Sequence, residues 1–125
     1  MCWTQLKFNM REHDAIRLRH MPDATREAMS FTRGRVRDDL ETDRQLPLSL
    51  VKETETVGEA ASQVTDPTRQ EPTGIPWNSI TAMPNRLVHA YFSINLDILW
   101  NTVQEDLPGL IDLLERSVPP ESCQD

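Results

Sequence analysis

From Asp14 onward the apolar positions of this chain recur with a helical period. Leu18, Met21, Thr25, Ala28 and Thr32 fall on one ridge, and Met21, Ala24, Ala28 and Phe31 fall beside it. The spacing predicts a helix capped by Asp14 and running to about Thr32. Pro22 lies inside it. An interior proline removes a backbone hydrogen bond and clashes with the preceding turn, at a cost of roughly 3 kcal/mol, so a kink or a separate first turn is expected there. Gly34 is placed to end this helix, and a short helical piece follows the Asp38-Asp39 pair. Leu46, Leu50, Val57, Ala61 and Val64 share one face of a second long helix, with Pro47 in its first turn and its end near Thr65. Thr54 falls in the same stripe and weakens it. Gly58 with Ala60 and Ala61 allows a neighbouring helix to come close.

Residues 66–76, with three Pro, two Thr and a Gly, read as a loop. Trp77 to Phe92 reads as a helix interrupted by Pro84. Asn95 or Asp97 can cap the last helix, whose Leu99, Val103, Leu107, Leu110 and Leu114 step by 4, 4, 3 and 4 and form a core-facing stripe. Pro108-Gly109 is expected to bend it. No internal repeat and no alternating strand pattern is visible. The predicted fold is all-α, a single-domain bundle of four main helices plus a short one. It occupies residues 11–116, between an irregular extension over 1–10, with Met10 as an alternative start, and a flexible tail over 117–125.

Composition narrows the class further. A chain of 125 residues with 38% hydrophobic content suits one domain and one core. No apolar run approaches the roughly 18 residues that span a bilayer, and Met1 to Phe8 lacks the apolar stretch of a secretory signal. Cys2 and Cys123 sit in opposite tails and read as free thiols in a reducing cytoplasm. No set of about four ligands at zinc spacing is present. The net charge of -7 is unevenly spread: residues 1–40 hold 8 Lys/Arg and 6 Asp/Glu, and the rest hold 5 and 14. A protein that coats nucleic acid is strongly basic, so any contact with RNA must be through a local patch. Acidity otherwise serves solubility.

The chemistry-bearing segment is Met83 to Phe92. On a continuous helix, Asn85 and Arg86 stand one turn before His89. A cation, an amide and an imidazole on one ridge can bind a phosphate and move a proton; a capping or surface role is the alternative for the same three residues. His13 and His20, seven apart, read as solvated. Arg33, Arg35 and Arg37 form a basic knot, either an exposed turn or a hold for RNA phosphates. Trp77 and Trp100 read as core aromatics, and Tyr91 as a core-edge residue.

The ordered blocks Ile16 to Met21, Val57 to Ser62, Gly74 to Trp77, Asn85 to Phe92, Asn95 to Asp97 with Trp100, and Asp106 to Pro108 resemble the HepT-like proteins of the HEPN superfamily. The resemblance spans roughly residues 13 to 116. It implies a HEPN-like bundle that forms a homodimer. It also implies a metal-independent endoribonuclease toxin, needing no cofactor, with its cleft where two copies meet. The implied partner, besides RNA, is an MNT-type nucleotidyltransferase antitoxin that silences the toxin by adding AMP to a tyrosine. The family signature is Arg, four residues, His, one residue, Tyr. His89 and Tyr91 occupy its last two positions, which makes His89 the implied proton-transfer residue and Tyr91 the implied modification site. Asn85 and Arg86 are then phosphate-orienting groups. Pro84 stands at the Arg position, supplying neither cation nor donor. The alternative is therefore a catalytically impaired copy that persists as a binding and dimerisation module.

Overall fold

The computed structural model describes residues 12–88 and 93–117. In chain order the elements are α1 (Glu12–Phe31), α2 (Asp39–Thr42), α3 (Gln45–Gln63), α4 (Asp66–Arg69), α5 (Trp77–Leu87) and α6 (Leu96–Asn101), then a π-helical segment (Thr102–Asp106) and α7 (Leu107–Ser117). The fold is all-α, as predicted: α1, α3, α5 and the continuous rod from α6 through α7 are the four main helices. Among the described residues the only sheet-like pairing is an antiparallel bridge between Val88 and Ile94. Two short helices accompany the main four. The second, α4, corrects the expectation of a loop over 66–76: Pro67 stands in its first turn, where a missing N–H costs nothing. The expected extension over residues 1–10, the two cysteines and the tail beyond Ser117 lie outside the described residues.

The core follows the predicted stripes. Leu18, Met21 and Ala28 of α1 meet Leu50, Val57 and Ala61 of α3, and Leu99, Val103, Leu107 and Leu114 complete the interior. Full burial of each of these Leu, Val and Met side chains contributes roughly 1.5–3 kcal/mol. The hydroxyls in the stripe are satisfied within their own helices: Thr25 Oγ1 donates to Met21 O at 2.7 Å and Thr54 Oγ1 to Val51 O at 2.8 Å. That return bond is how two threonines occupy core positions without leaving an orphaned donor.

Three local expectations are corrected. Helix α1 runs unbroken through Pro22, with Leu18, Met21, Thr25 and Ala28 buried on both sides of it; tertiary packing holds the helix across the lost bond. Proline disturbs the last rod upstream of Pro108 instead of bending it there. The backbone opens into the π segment, in which Leu107 N–H donates to Thr102 O, and α7 continues regularly through Pro108-Gly109. A wider turn relieves the clash a proline ring makes with the carbonyl four residues back. Asp14 does not cap its own helix, which begins earlier, at Glu12. Fully buried, its carboxylate accepts from Thr65 N at 3.0 Å, from Thr65 Oγ1, and from Thr68 Oγ1 at 2.6 Å. It thus ties the start of α1 to Thr65 and Thr68, at the junction of α3 and α4. Hydrogen bonds to a charged group contribute about 1.5–3 kcal/mol.

One contact across α1 and α3 opposes folding. The Glu53 carboxyl is pushed up from 4.5 to about 7, first by burial, then by a hydrogen bond with Glu27, then by the Glu27 charge, with Lys52 partly offsetting these. Folding therefore favours protonated Glu53. The associated stability is present below about pH 4.5 and is lost as the pH rises through about 7. Glu53→Gln should raise the melting temperature at pH 8, by an amount corresponding to about 1 kcal/mol or less, and leave it unchanged at pH 4. Thermal unfolding of both proteins across this range is the check; equal changes at both pH values would refute the assignment.

Candidate active site

Helix α5 carries the first part of the motif segment, Met83 to Leu87. Ile80, Met83 and Leu87 are buried at helical spacing, and they anchor one face on α3 and the last rod. The two flanks then face different surfaces. Thr81, Pro84 and Asn85 line a broad groove of about 1080 Å³ whose far side is Arg17 and His20 of α1 and whose floor includes Lys52 of α3. Glu55 and Glu59 also line it, so the groove is of mixed charge. Arg86 lies on the opposite flank, in a smaller groove of about 440 Å³ with Ser79, Glu105 and Asp106. Its Nη2 donates to Ser79 O at 3.2 Å. The structure thus separates Asn85 from Arg86, which adjacent positions on a helix, about 100° apart, make possible.

Pro84 is seated on α3. A Cβ built on Gly58 would lie 3.0 Å from Pro84 Cγ and 3.3 Å from Ile80 O, so a side chain there would press α5 back by a few tenths of an ångström. The close approach expected from Gly58 is realised, and its partner is the residue at the motif's Arg position. Because proline has no N–H, Ile80 O lacks its usual helical donor. The absent Cβ at Gly58 leaves room beside that carbonyl.

The helix ends sooner than its spacing predicts. Trp77 to Phe92 was the expected span, but α5 stops at Leu87 and Val88 is extended, with φ −113° and ψ 120°. In a longer helix Leu87 O would accept from the amide four residues on. Here Asn95 N–H occupies it, at 2.7 Å, and Val88 bridges Ile94. The Asn95 side chain then caps α6 by accepting from Ile98 N at 3.0 Å, as one of the two expected caps. The inference that Asn85 and Arg86 precede His89 by one helical turn is therefore corrected: no helix connects them to position 89. His89 and Tyr91 themselves lie outside the described residues. What is described is the frame around them, with Val88 and Ile94 held side by side at one end of the bundle.

The basic knot is an exposed turn with paired members. Arg37 donates to Asp97 Oδ1 from Nε at 2.8 Å and from Nη2 at 2.6 Å, and meets Glu41 at 3.0 Å; the hydrogen bond to Asp97 holds its pKa above the ordinary value. Arg35 meets Asp43 at 3.3 Å. The link between Arg37 and Asp97 had no sequence signal, because the partners lie sixty positions apart. Trp77 is partly buried, with the Arg69 guanidinium 5.8 Å over its ring. His20 is exposed, and its place on a groove wall was legible only as a position on the flank of the α1 core stripe. Among the described residues no three His, Cys, Asp or Glu side chains converge on a metal-sized site, and no helix is long and apolar enough to cross a membrane.

Comparison with known proteins accords with this fold. The family profile described as Ribonuclease HepT-like matches residues 21–117. A Thermococcus cleftensis protein provisionally named a ribonuclease HepT is 31% identical over 86 residues, covering 69% of this chain and 78% of the relative. A Caldanaerobacter subterraneus protein provisionally named an RNase is 32% identical over 73 residues, covering 58% of this chain and 65% of the relative. A Methanocaldococcus jannaschii protein named a gamma-glutamylcyclotransferase, with a provisional RNase assignment, is 28% identical over 101 residues; these cover 81% of this chain and 46% of that protein. No solved structure matches. The match over residues 21–117 takes in α3, α5 and the last rod, together with the motif segment, and the chain belongs to the HepT-like ribonuclease family.

Proposed function

We propose that this chain is a metal-independent endoribonuclease of the HepT-like type, acting as a homodimeric toxin held in check by a nucleotidyltransferase antitoxin. The observation that carries this reading is that His89 and Tyr91, at the last two positions of the family signature, fall inside the matched region between two backbone anchors, Val88 and Ile94. His89 takes the proton from a ribose 2′-OH. The freed oxygen attacks the adjacent phosphorus, and the P–O bond to the next nucleoside breaks. The charge that develops on the phosphorane requires oriented donors and cations. Asn85, exposed in the broad groove and free of a carbonyl tie such as Arg86 makes to Ser79, is the first candidate for this task on α5. Arg86 reaches RNA only by leaving Ser79 and the acidic groove. Tyr91 is the residue on which the antitoxin places AMP, and a phosphate-bearing adduct two residues from His89 would occupy the space a substrate phosphate needs.

A second reading has a specific observation behind it. Pro84 at the signature Arg position is packed against Gly58, and it supplies no cation. An inactive copy would keep the fold and the antitoxin contact while leaving RNA intact.

Incubation of the purified protein with total RNA, beside His89→Ala, separates the two: loss of cleavage in the variant is expected, and identical RNA profiles would remove the enzyme reading. Pro84→Arg should raise the cleavage rate by about 10²–10³-fold, the usual contribution of one preorganised donor. It should also raise the melting temperature, since an amide returns to Ile80 O. A stable but no faster variant would show that the deficit lies elsewhere. With an MNT-type nucleotidyltransferase encoded beside this chain and ATP, labelled AMP should enter the wild-type chain and not Tyr91→Phe; equal labelling would move the modification to another residue.

A further inference from the structure

The turn between α1 and α2 is bound twice to the last rod. At its start, Gln104 Nε2 donates to Thr32 Oγ1 at 3.1 Å. At its end, Arg37 grips Asp97. Positions 97 and 104 are roughly 10 Å apart along a helix axis at about 1.5 Å per residue, so the turn lies along this rod and points towards its N-terminus. That is the end at which Ile94 pairs with Val88, the described residues that flank His89 in the chain. Gly34, at φ 75°, allows the sharp reversal that brings Arg33 and Arg35 to the surface between the two ties. Arg33, Arg35 and Val36 are all exposed there.

The carboxylates of the turn are mostly engaged. Asp39 accepts from Val36 N at 2.8 Å, Glu41 and Asp97 are held by Arg37, and Asp43 accepts from Gln45 N at 3.1 Å; Asp38 is exposed. Arg35 holds Asp43 only across 3.3 Å between partly exposed groups, an exchangeable pair of small net energy. Arg33 has no ion-pair partner among the described residues. The turn therefore offers two exposed guanidiniums on a backbone tied at one end to Asp97, three positions after Ile94, and at the other to Gln104. Guanidinium forks suit phosphate geometry.

We infer that Arg33 and Arg35 form a phosphate-binding platform that holds the RNA strand next to the cut site, with Arg37 as the residue that positions the platform. This rests on the ribonuclease reading for its ligand, and it assigns the strand's path to a part of the chain 52 or more positions away from His89. It also supplies cations from outside the signature, in a chain whose signature Arg is Pro84.

The test is fluorescence anisotropy with a short labelled RNA strand of 2′-O-methyl riboses, which lacks the attacking hydroxyl and is not cut. Arg33→Ala with Arg35→Ala should weaken binding about tenfold and lower the slope of log K against log salt by roughly 1.4, about 0.7 per single-strand phosphate contact. Arg33→Lys with Arg35→Lys should retain most of the affinity. Arg26→Ala with Arg116→Ala, which removes the same charge from α1 and α7, should change little. Circular dichroism confirms that each variant is folded. Equal weakening by both alanine pairs, or no change in either, overturns the platform. If the unaltered chain binds and cuts RNA in a His89-dependent way while the platform variant binds normally, only the platform fails. No binding of this probe by the unaltered chain overturns both.

Discussion

The position of the whole candidate site depends on one backbone hydrogen bond, from Asn95 N–H to Leu87 O. A helix extends only while each carbonyl finds the amide four residues ahead. Once Leu87 O is taken by a residue eight positions on, α5 must end, and Val88 turns extended to pair with Ile94. That bond ends the helix at Leu87 and fixes the residues on either side of the motif's His89 and Tyr91 to the bundle. Leu87 is fully buried, and the Asn95 side chain is committed to the first turn of α6. Both partners of the bond are thus held by tertiary structure, and the exit and return points of the motif segment are held with them.

Pro84 and Gly58 show how a departure from the family signature is accommodated. An arginine at position 84 would direct a long cation into the broad groove; a proline keeps its ring against α3 and leaves Ile80 O without its amide. The helix survives because Ile80, Met83 and Leu87 stay buried on its inner face, and apolar burial of that size outweighs one lost bond. The packing face of α5 is intact, and its groove-facing flank carries Pro84 and Asn85 in place of any cation.

Electrostatics on the surface is organised by pairs more than by patches. Arg26 joins Asp23 and Glu115, Arg35 joins Asp43, and Arg37 joins Glu41 and Asp97. Pairs this exposed add little stability, but the one between Arg37 and Asp97 connects segments far apart in sequence and so decides where a turn lies. The surplus of acid in the later two thirds of the chain excludes broad, nonspecific attraction to nucleic acid. Recognition of RNA by such a chain has to be local.

Periodicity by itself determined the helical class, the four main helices and nearly every core position, because burial of a helix face is a local property repeated every three or four residues. The Asn95 cap and the close approach at Gly58 were legible for the same reason: each is written in a single residue type at a defined place. The end of α5, the burial of Asp14 against Thr65 and Thr68, the π segment ahead of Pro108 and the placement of Asn85 and Arg86 in separate grooves were settled only in three dimensions. In each case the deciding partner lies on another element or the deciding alternative is a competing hydrogen bond. Local spacing carries no record of which distant amide will reach a given carbonyl first.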